Sequence, residues 1–294
     1  MMPFRKILFP IDFSETTTAM VPHVTEMARR FNATVTVLNA FNLVDDYVLA
    51  PPLEGRSDLE PNEIPYSAAL RELRNQRERR LQEFSRSQFP RLTQTAVIED
   101  GDPAMVIEWV AKRDNTDLIM MPTKGFGRFH RLLLGSVTAK VLHDISCPLF
   151  TSTHEPHSAS GSFGGYRSIV CAVETNPAAD DVLQAAALFA QTCGARICLL
   201  HVEPSSDEHA IQTSAESIRH AFERISNIGN SQVDMDIIVR VQSGAVPEEI
   251  RRIATEEMAD LVIVGRGHQQ GSVSRMWSQL YEIIRESPCP VLSV

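Results

Sequence analysis

Long apolar runs are missing from this 294-residue chain: nothing approaches the ~18 to 20 uninterrupted apolar residues of a membrane span, and the early run Ile7 to Ile11 is broken by Pro10 and closed by Asp12. Neither a signal peptide nor an anchor is read, so a cytoplasmic protein is expected, with no membrane partner. Cysteine is scarce and odd in number: Cys147, Cys171, Cys193, Cys198 and Cys289 form no Cys-x-x-Cys pair. A chain this long needs no disulfide staples, so reduced, mostly buried thiols are expected. Lysine is absent from the second half. Residues 1–152 hold 18 Lys+Arg against 19 Asp+Glu and residues 153–294 hold 10 against 18, for a net charge of -9. That balance disfavours a sequence-independent grip on nucleic acid, and it places an anionic ligand more readily in the first half. No Gly-x-x-x-x-Gly-Lys-Ser/Thr loop exists, which disfavours Walker-type phosphoryl chemistry. His154 and His157 flank Glu155 but have no third fixed ligand nearby, so no metal is expected.

What is present is ordinary globular material: 43% hydrophobic and 22% charged residues, with 14 Gly and 17 Pro. At roughly 100 to 200 residues per domain, this length predicts two domains. An internal repeat gives the same division. Arg5 to Asp12 lines up with Arg167 to Glu174, each a short apolar run ending in a carboxylate. Asp117 to Met121 matches Asp260 to Val264, and Ser146 to Leu149 matches Pro288 to Val291, in the same order. The expected organisation is a domain over 1–152, a linker over 153–165 rich in Ser, Gly and His, and a second domain over 166–294.

Within each copy, apolar runs of 4 to 8 residues alternate with longer segments of helical period, the pattern of buried parallel strands joined by crossover helices. Strands are expected near 5–11, 33–40, 93–98, 117–121 and 148–151, and near 167–173, 195–202, 233–240, 260–264 and 290–294. The class is α/β: two tandem open parallel five-stranded sheets flanked by helices. A helix over 67–88 is expected to face the core with Leu70, Leu73, Leu81 and Phe84 and solvent with its Arg and Glu side. Residues 42–66, with four prolines among acidic residues, read as an irregular excursion after the second strand.

In such sheets ligands bind outside the carboxyl ends of the strands, where the strand order reverses. After strand four stands Met121-Pro122-Thr123-Lys124-Gly125-Phe126-Gly127-Arg128, and Gly135-Ser136-Val137-Thr138 opens the last helix of the first copy. Glycine lets backbone amides approach an anion, and a helix start offers unpaired N–H groups. Gly125, Gly135 and Ser136 can therefore form a phosphate cradle, with the hydroxyls of Ser136 and Thr138 as further donors and Lys124, Arg128, His130 and Arg131 as nearby cations. The plainer alternative is that the glycines make a tight turn and Ser136 is an N-cap. Spacing alone does not separate the two.

The Pro10-Ile11-Asp12-Phe13-Ser14-Glu15 opening and the Gly-x9-Gly-Ser segment from Gly125 to Ser136 resemble the universal stress protein family in its tandem form. That resemblance implies an adenine nucleotide alpha-hydrolase-like, flavodoxin-related doubly wound fold that in one subgroup binds ATP, with or without Mg. It implies that Asp12, flanked by Pro10 and Ile11, meets the ribose or adenine side and that Ala40 contacts adenine through its backbone. Met121 and Pro122 would close strand four, Lys124 and Gly125 would turn over the phosphates, and Gly135, Ser136, Val137 and Thr138 would cradle them. Pro122 departs from the motif's first glycine, removing one N–H donor and reshaping the turn. The second copy departs further: Gly265-Arg266-Gly267-His268 puts His where Gly125 stands, Trp277 or Ser278 falls where Gly135 stands, and Glu174 replaces Asp12. It is expected to be a degenerate partner without a nucleotide.

The function expected is a stress-response regulator binding ATP or AMP in its first domain. No nucleophile–base pair or metal-carboxylate cluster can be placed beside the cradle, so turnover is expected to be at most slow ATP hydrolysis assisted by Lys124 or His130. The alternative is a nucleotide-independent interaction protein, for which Pro122 argues. By the same resemblance the short final strands mediate pairing, of the two halves with each other and of two chains in a homodimer.

Overall fold

A computed structural model describes residues 4–42, 66–123, 134–152, 164–175, 179–203, 207–226, 236–266 and 273–294, with the backbone only for 66–69 and 273–278. The first half runs β1 (Lys6–Pro10), α1 (Glu15–Phe31), β2 (Thr34–Phe41), α2 (Tyr66–Gln88), β3 (Gln94–Asp100), α3 (Pro103–Arg113), β4 (Leu118–Pro122), α4 (Ser136–Asp144) and β5 (Leu149–Ser152). The second repeats it with β6 (Ser168–Ala172), α5 (Ala179–Cys193), β7 (Arg196–Glu203), α6 (Glu208–Ser226), β8 (Ile237–Ser243), α7 (Val246–Glu256), β9 (Leu261–Val264), α8 (Val273–Glu286) and β10 (Val291–Ser293). The eighth strand begins four residues and ends three residues later than the sequence pattern predicts. Among the described residues no helix is long and apolar enough to cross a membrane.

Each half orders its strands 3-2-1-4-5, and β5 pairs antiparallel with β10, so one ten-stranded sheet runs β3-β2-β1-β4-β5-β10-β9-β6-β7-β8. Every pair other than β5–β10 is parallel. The central strands are short and buried on both faces, as parallel strands under helices must be. One face packs against α1, α2, α5 and α6 and the other against α3, α4, α7 and α8. Arg77 and Arg80, on the side of α2 expected to face solvent, lie instead over the rings of Phe41 and Phe13 at 4.7 and 4.2 Å. Long guanidinium side chains can cover apolar surface in this way while keeping the charge near water.

The repeat is kept down to single backbone conformations. Left-handed residues close α1 and α5 at Asn32 and Gly194, precede β4 and β9 at Asn115 and Met258, and follow β3 and β8 at Gly101 and Gly244. Asp117, the repeat's clearest marker, accepts from the amides of Arg5 and Lys6 at 2.9 Å each, and Asp260 does the same for Arg167 and Ser168 at 2.8 and 3.0 Å. These carboxylates fasten the amino-terminal end of the central strands, away from any site at the other end.

The seam between the halves is dense. Beside the three β5–β10 rungs, Thr151 to Val291, Phe150 to Leu292 and Leu149 to Ser293, the ring of Phe189 on α5 meets Phe31, Phe4 and Tyr166 at 5.2, 5.7 and 6.1 Å. His23 of α1 reaches the Tyr166 hydroxyl through Nδ1 at 3.1 Å. On the opposite face Arg266 donates to the Ile145 carbonyl and, at 3.1 Å, to Ser293 Oγ. The terminal strands expected to pair two chains are therefore occupied by each other, and the sheet's edges are β3 and β8. All five cysteines are free thiols, and burial pushes Cys147 and Cys289 up to about 12.

Candidate functional site

In the first half the strand order reverses between β1 and β4, whose pairing covers only Ile7–Leu118 and Leu8–Ile119 before the strands part. The crevice of an open α/β sheet belongs there. Pro10 ends β1, and the Ile11 amide continues the ladder to the Leu38 carbonyl at 2.8 Å. The Ile11 carbonyl is met by Asn39, whose Nδ2 donates at 2.8 Å from a buried position on β2, while Asn39 Oδ1 accepts from Arg77 at 3.5 Å. Ala40 follows, half-buried and paired with Glu99 of β3.

Asp12 begins the turn into α1. Its Oδ1 accepts from the Ser14 amide at 3.0 Å, the Ser14 hydroxyl at 2.5 Å and the Thr17 hydroxyl at 2.7 Å, while Ser14 caps the helix by accepting from the Thr17 amide at 3.2 Å. Phe13 between them takes φ +60°, a left-handed conformation uncommon for a residue with a Cβ. The turn is thus fixed by hydrogen bonds that overrule the local preference, and they hold the Asp12 carboxylate in one orientation.

On the other wall, Met121 is buried in β4 and Pro122 remains in the strand, paired with Ser152 of β5. The ladder runs on past this proline, the Thr123 amide donating to the Ser152 carbonyl at 3.2 Å, and the turn expected to be reshaped there, from Lys124 on, lies outside the described residues. Amides two apart along a strand point the same way. Ile119 and Thr123 donate toward β5, so the nitrogen of Pro122 faces β1 and the crevice. Proline is tolerated because no ladder bond is sacrificed, and the donor it removes is the one that would face a ligand.

At the start of α4 the N-cap is Gly135 and Ser136 is the first helical residue, which corrects the alternative reading of Ser136 as a cap. Two of the expected donors are already committed. The Gly135 amide donates to the Thr123 carbonyl at 2.7 Å, and the buried Thr138 hydroxyl donates to the Pro122 carbonyl at 3.0 Å. What α4 offers an anion is its first-turn amides, Ser136, Val137 and Thr138, which have no intrahelical acceptor, together with the exposed Ser136 hydroxyl. Lys124, Gly125, Arg128, His130 and Arg131 lie outside the described residues, as do His154, Glu155 and His157. Among the described residues no group of His, Cys, Asp or Glu has metal-site geometry.

Asn39 and Arg77 escaped the sequence reading. The signal for Asn39 was an amide in an otherwise apolar and β-branched strand, Thr34 to Phe41. Arg77 carried none, since a helix rich in arginine reads as a solvated face.

The equivalent crevice of the second half holds a cavity of about 410 Å³ at the ends of β6, β7 and β9, with Glu174, His201, Glu203, Gly265 and Arg266 among its lining. His268 lies outside the described residues, and the side chains of Trp277 and Ser278 are likewise not described.

The chain matches the universal stress protein family over residues 3–151 and again over 165–294. Universal stress proteins of Methanocaldococcus jannaschii and of Thermus aquaticus are each 28% identical to it over 146 residues, which is 50% of this chain and 80% and 96% of theirs. The crystal structure of a universal stress protein from Archaeoglobus fulgidus aligns with a TM-score of 0.70 at 20% identity, covering 99% of this chain and 96% of that one. At that identity the likeness shows the fold, and it extends over both halves.

Proposed function

The chain belongs to the universal stress protein family, and from that premise we propose that it is a stress-response regulator that binds an adenine nucleotide in its first domain, residues 1–152. The observation that carries this reading is that the fixed Asp12 turn follows β1 and the open first turn of α4 follows β4, the two strands that flank the switch point. The carboxylate is suited to a ribose hydroxyl or an adenine amine, and the amides of Ser136 to Thr138 are suited to phosphate oxygens. Pro10, Ile11, Ala40, Met121 and Pro122 form the apolar approach between them, and Lys124 and Gly125 close over the phosphates. The second domain, residues 166–294, joined through 153–165, is a built-in partner that holds the first through the β5–β10 seam. Binding, not turnover, is the output, with Mg following the nucleotide. The chain works in the cytoplasm.

One observation favours a second reading. Pro122, the Gly135 amide and the Thr138 hydroxyl bring no donor to the crevice, which leaves a cradle poorer than the motif promises and fits an interaction protein that needs no nucleotide. Calorimetric titration with ATP separates the two. We expect one ATP per chain, abolished in Gly125→Val, and tightened roughly tenfold in Pro122→Gly, the size of one hydrogen bond to a charged group. Absence of ATP binding at millimolar concentration in both wild type and Pro122→Gly would leave the interaction protein.

A further inference from the structure

The helix that supplies the first-turn amides is held at both ends by side chains of the other half. Just before the Gly135 cap, the Leu134 carbonyl accepts from the Tyr281 hydroxyl of α8 at 3.4 Å. Just past the last turn of α4, the Ile145 carbonyl accepts from Nη1 of Arg266, two residues beyond β9. Among the described residues neither carbonyl has a second donor. Within its own half the start of α4 is tied to the end of β4 twice, by the Gly135 amide on Thr123 and the Thr138 hydroxyl on Pro122, so either bond covers for the other. The two bonds from the second half have no such double.

The tie runs one way. Thr123 is the counterpart of Arg266: the amide of each extends the ladder to the last strand of its own half, at 3.2 and 2.8 Å. Counted from the matching pairs Cys147-Pro148 and Cys289-Pro290, Ala139 is the counterpart of Tyr281. Alanine has no donor, and the Thr123 hydroxyl turns to Ser152 of its own half at 3.5 Å. The second half therefore reaches α4 with two side chains whose counterparts in the first half do not reach back.

Packing alone does not account for Arg266. The side chain is 8% exposed, Nη2 has no partner among the described residues, and burial lowers its pKa to about 10, so it stays charged at neutral pH after losing most of its hydration. An apolar side chain of similar length would fill the space without that cost. What the guanidinium adds is a donor and a positive charge at the carboxyl end of α4, where both order the last turn.

We propose, on the premise that the first domain binds ATP, that Tyr281 and Arg266 are positioning residues of its nucleotide site: from the second half they hold α4 so that the amides of Ser136 to Thr138 meet the phosphates. Neither side chain touches the nucleotide. Each acts through one backbone carbonyl of the helix, and a cradle fixed before the ligand arrives loses less freedom on binding.

Two measurements on the full chain test this. Hydrogen exchange followed by mass spectrometry, without nucleotide, reads how firmly α4 is held: Tyr281→Phe and Arg266→Met should each speed exchange in residues 135–145 by roughly threefold to tenfold, the range for one net hydrogen bond, and leave α3 unchanged. Calorimetry then compares ATP with adenosine, which lacks the phosphates. ATP should bind roughly threefold weaker to Tyr281→Phe and roughly tenfold weaker to Arg266→Met, with adenosine affinity unchanged and Arg266→Lys recovering part of the loss. A purely structural role would weaken both ligands together or neither. Tyr281→Phe removes a single oxygen, which keeps the test decisive if Arg266→Met does not fold. Unchanged exchange in α4 overturns the proposal whatever ATP does, and so does an equal loss of ATP and adenosine. If wild type binds no ATP at millimolar concentration while exchange rises in the variants, the nucleotide reading falls and the positioning role with it, and only the tie to α4 stands.

Discussion

The two halves of this chain share their strand order, their left-handed positions and the aspartates that fasten their central strands, and they differ where the strands end. In the first half the turn after β1 is tied by Asp12, Ser14 and Thr17, the strand beside it ends in Asn39 and Phe41, and the crevice amide is deleted by Pro122. In the second half the same places hold Glu174, His201, Glu203 and Gly265 around a cavity open to solvent. A repeat constrained by one sheet must preserve its packing, so divergence collects at the carboxyl ends, where side chains answer to a ligand and not to the core. The difference also extends to the seam. His23 and Phe189 are not repeated: Ala185 and Met27 occupy their counterpart positions in helices that align through Asn32 and Gly194. The two halves therefore make unequal contributions to one interface.

The largest test of that interface is Phe189→Ala. Its ring touches Phe4, Phe31 and Tyr166, two of them from the first half, and truncating a buried phenylalanine costs about 3–5 kcal/mol. In urea unfolding followed by circular dichroism and tryptophan fluorescence, we expect both signals to shift together by that amount. Loss in one signal alone would show the halves to be separate folding units and the seam to be incidental.

A smaller effect should come from pH. Burial lowers the His23 pKa to about 4, below the ordinary value of 6.5, because the charged ring would lose its hydration. The folded chain therefore prefers His23 neutral. The stability this contributes is fully present above pH 6.5, declines as pH falls, and is lost by about pH 4, an integrated effect of about 3 kcal/mol. Melting curves across that window should show the decline in wild type and a flatter profile in His23→Gln, which keeps a polar partner for Tyr166 without a titrating ring. Identical pH profiles would place the acid sensitivity elsewhere.

Thr138→Val sharpens the account of the crevice. The Thr138 hydroxyl is spent on the Pro122 carbonyl, so its removal should cost roughly 0.5–1.5 kcal/mol of stability and leave ATP affinity unchanged. A drop in affinity with unchanged stability would return that hydroxyl to the phosphate cradle the sequence predicts.

Much of the fold is legible in the sequence because its causes are local: runs such as Leu118 to Met121 are apolar because both faces are covered, and Asp117 and Asp260 recur before the matching strands of the two copies. The site is less so. That Gly135 rather than Ser136 caps α4, or that the Thr138 hydroxyl is already occupied, depends on where Pro122 and Thr123 lie across the crevice, a relation between residues distant in the chain. His201 illustrates the limit well. In sequence it is one histidine in an apolar strand; only its placement against the Val173 carbonyl shows that Nδ1 carries a hydrogen.

The repeat itself supplies the smallest prediction. Met258 takes φ +47° before β9, exposed to solvent, and Asn115 takes φ +50° at the matching place before β4. A left-handed backbone costs an ordinary side chain roughly 1–2 kcal/mol, and asparagine escapes part of that by hydrogen bonding locally. Both residues make the same backbone bond, from Asn115 to Lys112 at 3.3 Å and from Met258 to Thr255 at 3.2 Å, so the substitution leaves that bond in place. Met258→Asn should raise stability by about 0.5–1 kcal/mol in urea unfolding, and the reverse exchange, Asn115→Met, should lower it by a similar amount. If Met258→Asn instead destabilises the chain, the exposed methionine has a packing partner that the first half lacks, and the equivalence of the two turns ends at the backbone.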